Sequence, residues 1–111
     1  MAQLRKGSLE LCMLALISGE EKYGYQIAQS LTNTDGLAVS EGTIYPLLSR
    51  MQREGLIRSE WKESPAGPPR KYYSLTPNGQ KTLEAQASAW RDFSRAVDRI
   101  LQEARNGRSR R

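Results

Sequence analysis

Residues 40–55 read SEGTIYPLLSRMQREG, from Ser40 to Gly55. At about 100° per residue, Ile44, Leu47, Leu48 and Met51 recur at the i, i+3, i+4, i+7 spacing that seats a helix on a core. The other side carries Thr43, Tyr45, Pro46, Ser49, Arg50 and Arg53. Short hydroxyls, a phenol and guanidiniums are the groups that reach phosphate oxygens and base edges in a groove. Ser40 is the expected N-cap with Thr43 three residues on, Pro46 is expected in the first turn, where its missing N–H costs little, and Gly55 supplies the stop. The predicted helix is about ten residues long.

Outward from this helix, the chain of 111 residues has a one-domain length, and 38% hydrophobic content allows one small core. Its 17 Lys and Arg against 12 Asp and Glu give a net charge of +5, but Arg105, Arg108, Arg110 and Arg111 supply all but one of those charges. Overall basicity is therefore a weak argument for nucleic acid, and the position of the remaining charges matters more. Cys12 is the single cysteine and there is no histidine. An intrachain disulfide is excluded, and the commonest general base and metal ligand is missing. No apolar run approaches the length of a membrane span, and acids interrupt the apolar positions after Ser8 where a leader would need them. A reducing, cytoplasmic setting is expected, with no membrane partner, no metal and no cofactor. No G-x-S-x-G, phosphate-binding loop or cysteine cluster occurs, and Glu20-Glu21 and Glu60/Glu63 read as solvated charge, so no enzyme is expected.

Upstream, Ser8–Ser18 (SLELCMLALIS) begins with a capping serine and carries apolar residues around most of its circumference. Either this is a central core helix or it serves a second surface on another subunit. Gly19 is expected to end it, with a polar turn after it. Gly24–Thr34 forms a second helix with Ile27, Ala28 and Leu31 inward and Tyr23 and Tyr25 at its mouth; Leu37–Val39 is short enough to be a single strand. Downstream of Gly55 the period changes to about 2. Ile57, Ser59 and Trp61 share one strand face and Arg58, Glu60 and Lys62 the other. Pro65–Pro69 is expected to form a stiff protruding loop, and RKYYSLT to return as a second strand with Tyr73 and Leu75 facing Ile57 and Trp61. Thr76-Pro77 restarts a helix as N-cap and N1. From there to about Arg105, Leu83, Ala87, Trp90, Val97, Leu101 and Ala104 keep a heptad-like spacing, flanked by Phe93 and Ile100.

Three helices followed by a hairpin and a long helix make a mainly α fold with a two-stranded β wing, a winged helix-turn-helix plus a long C-terminal dimerisation helix. The expected divisions are 1–76 for the DNA-binding domain, 77–105 for the dimerisation helix and 106–111 for a basic, disordered tail. Leu83, Trp90, Val97 and Leu101 form a seam that one small domain does not cover, so a homodimer is expected.

Three blocks carry a resemblance. YGYQI (23–27), GTIYPLLSRMQREGLI (42–57) and GPPRKYYSLTPNG (67–79) stand in the order found in the PadR family of bacterial transcriptional regulators, and the chain resembles that family's short branch with a single C-terminal helix. The resemblance implies a homodimeric repressor whose last helix packs on the first helix of its partner and which binds a two-fold-related site on double-stranded DNA. It also implies that Tyr45, Ser49, Arg50 and Arg53 sit at or near DNA and that Arg70 and Lys71 of the wing touch the backbone; Thr43 and Tyr23 join this set as candidate DNA contacts. Against each stands a plainer role. Tyr45 can pack under the wing, Arg50 and Arg53 can be solvated helix-end charges, and Tyr23 and Tyr25 can close a helix junction. With Arg50 included, the set gives on the order of eight cationic contacts per dimer. Some short-branch relatives hold planar aromatic ligands with a tryptophan in this part of the last helix. That implies a ligand slot formed by Trp90 and Phe93 with Leu9 and Met13 for a planar aromatic effector, and the alternative is that Trp90 only packs in the dimer. The competing function class is a winged-helix module that binds small molecules or proteins without reading DNA; such a surface would show exposed Leu, Phe or Trp on the third helix, where this chain has Thr, Ser and Arg.

Overall fold

The computed structural model describes residues 2–37 and 39–109. The order is α1 (Ala2–Gly19), β1 (Lys22–Tyr23), α2 (Gly24–Thr32), α3 (Glu41–Arg53), β2 (Ile57–Ser64), β3 (Gly67–Leu75) and α4 (Pro77–Ser109). One core joins α1–α3 to the base of the sheet. Leu9, Met13, Leu14 and Ile17 of α1 meet Ile27, Ala28 and Leu31 of α2, Ile44, Leu47, Leu48 and Met51 of α3, and Leu56, Ile57 and Tyr73. The apolar faces expected of α2 and α3 are those buried. No helix among the described residues is long and apolar enough to cross a membrane.

Several boundaries differ from expectation, each for a physical reason. The first helix starts at Ala2, so Ser8 lies within it and does not cap it; Ala, Gln, Leu, Arg and Lys before Gly7 are good helix formers. Gly19 is the last residue of α1 and lacks the positive φ of a helix-ending glycine, which Gly36 and Gly55 have among the described residues. The turn after α1 contains a short strand: Lys22 pairs with Tyr73 and Tyr23 with Tyr72, giving a three-stranded antiparallel sheet in the order β1-β3-β2 where two strands were expected. Of the Leu37–Val39 stretch, Leu37 lies in a turn and Val39 in no strand, and Ala38 falls outside the described residues.

The recognition-like helix α3 runs for 13 residues and places Pro46 in its second turn. Proline has no N–H for the carbonyl of Gly42, and this side of the helix faces outward, where other donors can serve that oxygen. Ser40 occupies the N-cap position, but its hydroxyl meets that of Thr43 at 3.4 Å and makes no side-chain cap bond. Gly55 ends the helix with φ +76°, and Leu56 and Gly55 donate to the carbonyls of Met51 and Gln52 at 3.0 and 3.1 Å, the double-bonded Schellman stop.

In the wing, Ile57 lies opposite Leu75, Ser59 opposite Tyr73, Trp61 opposite Lys71 and Lys62 opposite Arg70. The expected Pro65–Pro69 loop is shorter than read: Ser64 pairs with Gly67, so Pro68 and Pro69 belong to β3 and only Pro65-Ala66 makes the turn. Beyond the two-residue β1, β3 is paired on one side only, and a free edge beside an irregularity at Lys62/Ser64 is where prolines are tolerated. Trp61 shares the face of Ile57 and Tyr73 as expected but is 67% exposed, because the core does not extend that far along the hairpin.

Thr76 caps α4. Its hydroxyl accepts the N–H of Gly79 at 3.0 Å and donates to the carbonyl of Gly55 at 2.5 Å, while its own N–H donates to Leu56 at 3.1 Å. The helix then runs 33 residues, about 50 Å at 1.5 Å per residue, and accounts for the long axis of a molecule measuring 64 × 27 × 22 Å. It continues through residues 106–109, where a disordered tail was expected; Arg110 and Arg111 lie outside the described residues. Leu83 packs against the core, whereas Trp90, Phe93, Val97, Ile100 and Leu101 form one exposed apolar stripe.

Candidate nucleic-acid interface

On α3 the four core residues leave Thr43, Tyr45, Pro46, Ser49 and Arg53 exposed. Ser49 and Arg53, with Pro46, point most directly away from the core, at about 150–170° from its centre, and Thr43 and Tyr45 occupy opposite flanks. Arg50 does not join this open face. Its Nη2 donates to Oε2 of Glu10 on α1 at 2.9 Å, and its Nε lies 3.3 Å from Glu54, near enough for charge attraction but misaligned for a hydrogen bond. The residue read as a groove contact is therefore a brace between α1 and α3, contributing on the order of 1 kcal/mol.

Tyr45 leans toward the start of α2. A Cβ at Gly24 would stand 2.9 Å from its Cε1, so a larger residue there would have to push the ring aside. Tyr45 also helps raise the pKa of Tyr73, whose burial is the main cause, so Tyr73 stays a neutral phenol. Tyr45, for which packing under the wing was the plainer expectation, packs against Gly24 at the start of α2 and remains 43% exposed.

The wing divides its cations by strand alternation. Arg70 lies 4.4 Å over the ring of Tyr23, which meets Tyr72 edge-on at 5.5 Å and 71°. Lys62 stands over the far ring of that pair and bonds to Glu21, the main reason its pKa is raised. Lys71 is on the opposite face, 5.8 Å from the Tyr73 ring and across from Trp61. Of these contacts, Arg70 on Tyr23 ties the wing to the start of α2, a cation–π contact worth about 0.5–1 kcal/mol at an exposed site, whereas those of Lys62 and Lys71 lie within the wing. Tyr23 is thus a half-buried junction residue, its backbone N–H held by Gln26 at 3.1 Å.

Between α2, α3 and the wing runs an open groove of about 340 Å³, bounded by Tyr23, Tyr25, Tyr45, Trp61 and Lys71 among others. The sequence does not single out Trp61, Glu10 or Gly24 as site residues, whereas it leaves Tyr25, with Tyr23, as either a phosphate contact or a junction residue. The Glu10–Arg50 pair spans 40 positions and leaves no local signal.

Leu9 and Met13 are not open to the ligand slot expected beside Trp90 and Phe93. Trp90 and Phe93 stand together, rings 6.2 Å apart and tilted 49°. Met13, at 0% exposure, and Leu9 belong to the core, because α1 spends its apolar residues on its own domain. Burial pushes the Cys12 thiol pKa up, which keeps it protonated and a poor nucleophile at neutral pH.

A helix with an exposed polar and cationic face, set beside an antiparallel hairpin on a three-helix core, defines a winged helix-turn-helix protein. Residues 13–85 match the Transcriptional regulator PadR-like family, and the chain belongs to it. A transcriptional regulator of Mycobacterium tuberculosis is 31% identical over 97 residues, 87% of this chain and 89% of its own. The crystal structure of a PadR-like transcriptional regulator from Bacillus cereus superposes with a TM-score of 0.82 at 47% identity, covering 90% of this chain and 97% of the other. Bacillus subtilis PadR in complex with operator DNA superposes at 0.62 with 28% identity, over 70% of this chain and 44% of that one.

Proposed function

We propose that this PadR-family regulator is a homodimeric, cytoplasmic repressor that binds a two-fold-related duplex through α3 and the wing, with α4 as its dimerisation helix, and leaves DNA when a small aromatic ligand binds. The observation that carries DNA recognition is the outward side of α3: Thr43, Ser49 and Arg53 lie open, with no exposed Leu, Phe or Trp among them. A face of this kind suits phosphate oxygens and base edges and is a poor protein-docking surface. The operator complex of Bacillus subtilis PadR supports the same reading.

Arg53, Arg70 and Lys71 of two subunits give about six cationic contacts, fewer than the sequence suggested because Arg50 is engaged by Glu10. Affinity for a duplex selected by this chain from a random-sequence pool should fall steeply with salt. Replacing Lys71 or Arg70 with Ala should weaken binding on all sequences and flatten the plot of log affinity against log salt by about two per dimer. An unchanged slope in both variants would remove the wing from the interface. Ser49→Ala and Tyr45→Phe should instead change which sequences the pool yields.

The exposed Trp90–Phe93 pair supports the ligand half of the proposal, with the partner's rings as the facing wall in place of Leu9 and Met13. In a Trp61→Phe chain, planar cationic dyes are expected to quench Trp90 emission and to lower duplex affinity. Constant emission across a broad panel of aromatic compounds would leave Trp90 with a packing role only.

A further inference from the structure

We propose that Trp61 is a DNA contact: its indole, at the edge of the groove between wing and recognition helix, packs on the deoxyribose-phosphate backbone of the half-site that α3 reads. This rests on the DNA-binding reading above and extends it to an aromatic residue of the wing that borders the same groove as Arg70 and Lys71. Trp61 is 67% exposed, an unusual position for the largest side chain on a strand that otherwise buries Ile57 on the same face. Cross-strand pairing sets it beside Lys71, and both border the groove with Tyr25 and Tyr45, which are exposed as well.

Four tyrosines, an indole, the Lys71 ammonium and the Arg70 guanidinium thus border one open channel that adjoins the exposed side of α3. Their chemistry selects the occupant. The ammonium and phenol groups donate to anionic oxygens, and the indole covers apolar ring carbons, a combination matched by alternating phosphate and sugar along a nucleic acid strand. A purely apolar partner would strip water from both cations and from the exposed phenols of Tyr25 and Tyr45 and give nothing back. The charge of the groove therefore favours a polyanion over an apolar protein segment.

The test uses the full chain and the duplex it selects from a random-sequence pool. Trp61→Ala removes one aromatic contact from each half-site and should weaken binding by the dimer about a hundredfold, a factor of about ten per half-site, with the salt slope unchanged because no charge is lost. Trp61→Phe should recover most of that loss. In a Trp90→Phe chain the remaining emission, from Trp61, should be quenched as the duplex is added. If Trp61→Ala binds with wild-type affinity and the emission does not move while Lys71→Ala still weakens binding, the indole does not touch DNA, and DNA recognition stands without it. If the pool yields no duplex, the DNA-binding reading falls and takes the Trp61 assignment with it.

Discussion

Val97→Asp is expected to sediment as a monomer at micromolar concentration and to lose at least a hundredfold in duplex affinity. Val97 lies at the centre of the stripe formed by Trp90, Phe93, Ile100 and Leu101, five large apolar side chains that the rest of the chain leaves exposed. Burying each contributes about 1.5–3 kcal/mol, so together they outweigh the cost of association, and a carboxylate at the middle of the seam must be desolvated without a partner. The loss on DNA follows because a dimer engages its second half-site intramolecularly, and uncoupling the two sites removes a factor of about 10² to 10⁴. Val97 contacts water in the single chain, so the variant should keep its helical circular dichroism. A wild-type chain that sediments as a monomer would overturn the dimer itself.

Gly79→Ala should be the most damaging single-atom change in the fold. A Cβ there would stand 1.9 Å from the carbonyl oxygen of Leu56 and 2.9 Å from its carbon, both backbone atoms that cannot swing aside. At the same place Thr76 ties Gly55, Leu56 and Gly79 together through three hydrogen bonds, so the end of α3, the wing and the start of α4 would have to part. The expected loss is on the order of 3 kcal/mol, at the high end for overpacking, or roughly 12 °C in melting temperature at fixed protein concentration. Gly107→Ala is the control. It lies on the exposed last turns of α4 with open space around its Cα, and Ala there should stabilise by up to about 1 kcal/mol. Equal urea midpoints for the two variants would show that the close approach at Leu56 does not exist in solution.

What the sequence disclosed was whatever repeats or punctuates locally. The spacing of Ile44, Leu47, Leu48 and Met51 assigned the buried side of α3, Gly55 marked its end, and Thr76-Pro77 marked the start of α4. A strand of two residues has no period to detect, so β1 stayed hidden in a polar turn. Pro68 and Pro69 looked like loop because their place on a half-free edge depends on how short β1 is. The site was legible as a helix face but not as a set of partners. Arg50 has the same side chain as Arg53, and only the arrival of Glu10 from α1 separates a brace from an open cation. Met13 and Leu9 were misplaced for a related reason: an all-round apolar helix does not say which neighbour takes which side.

Gly24 and Tyr45 belong to different helices yet share one point in space: a Cβ at position 24 would stand 2.9 Å from the ring's Cε1, so a residue larger than glycine there must turn the ring of Tyr45 from its place. A smaller residue at 45 removes that demand. Relatives with a tyrosine at the position of Tyr45 should therefore favour glycine at that of Gly24 more than relatives without the ring.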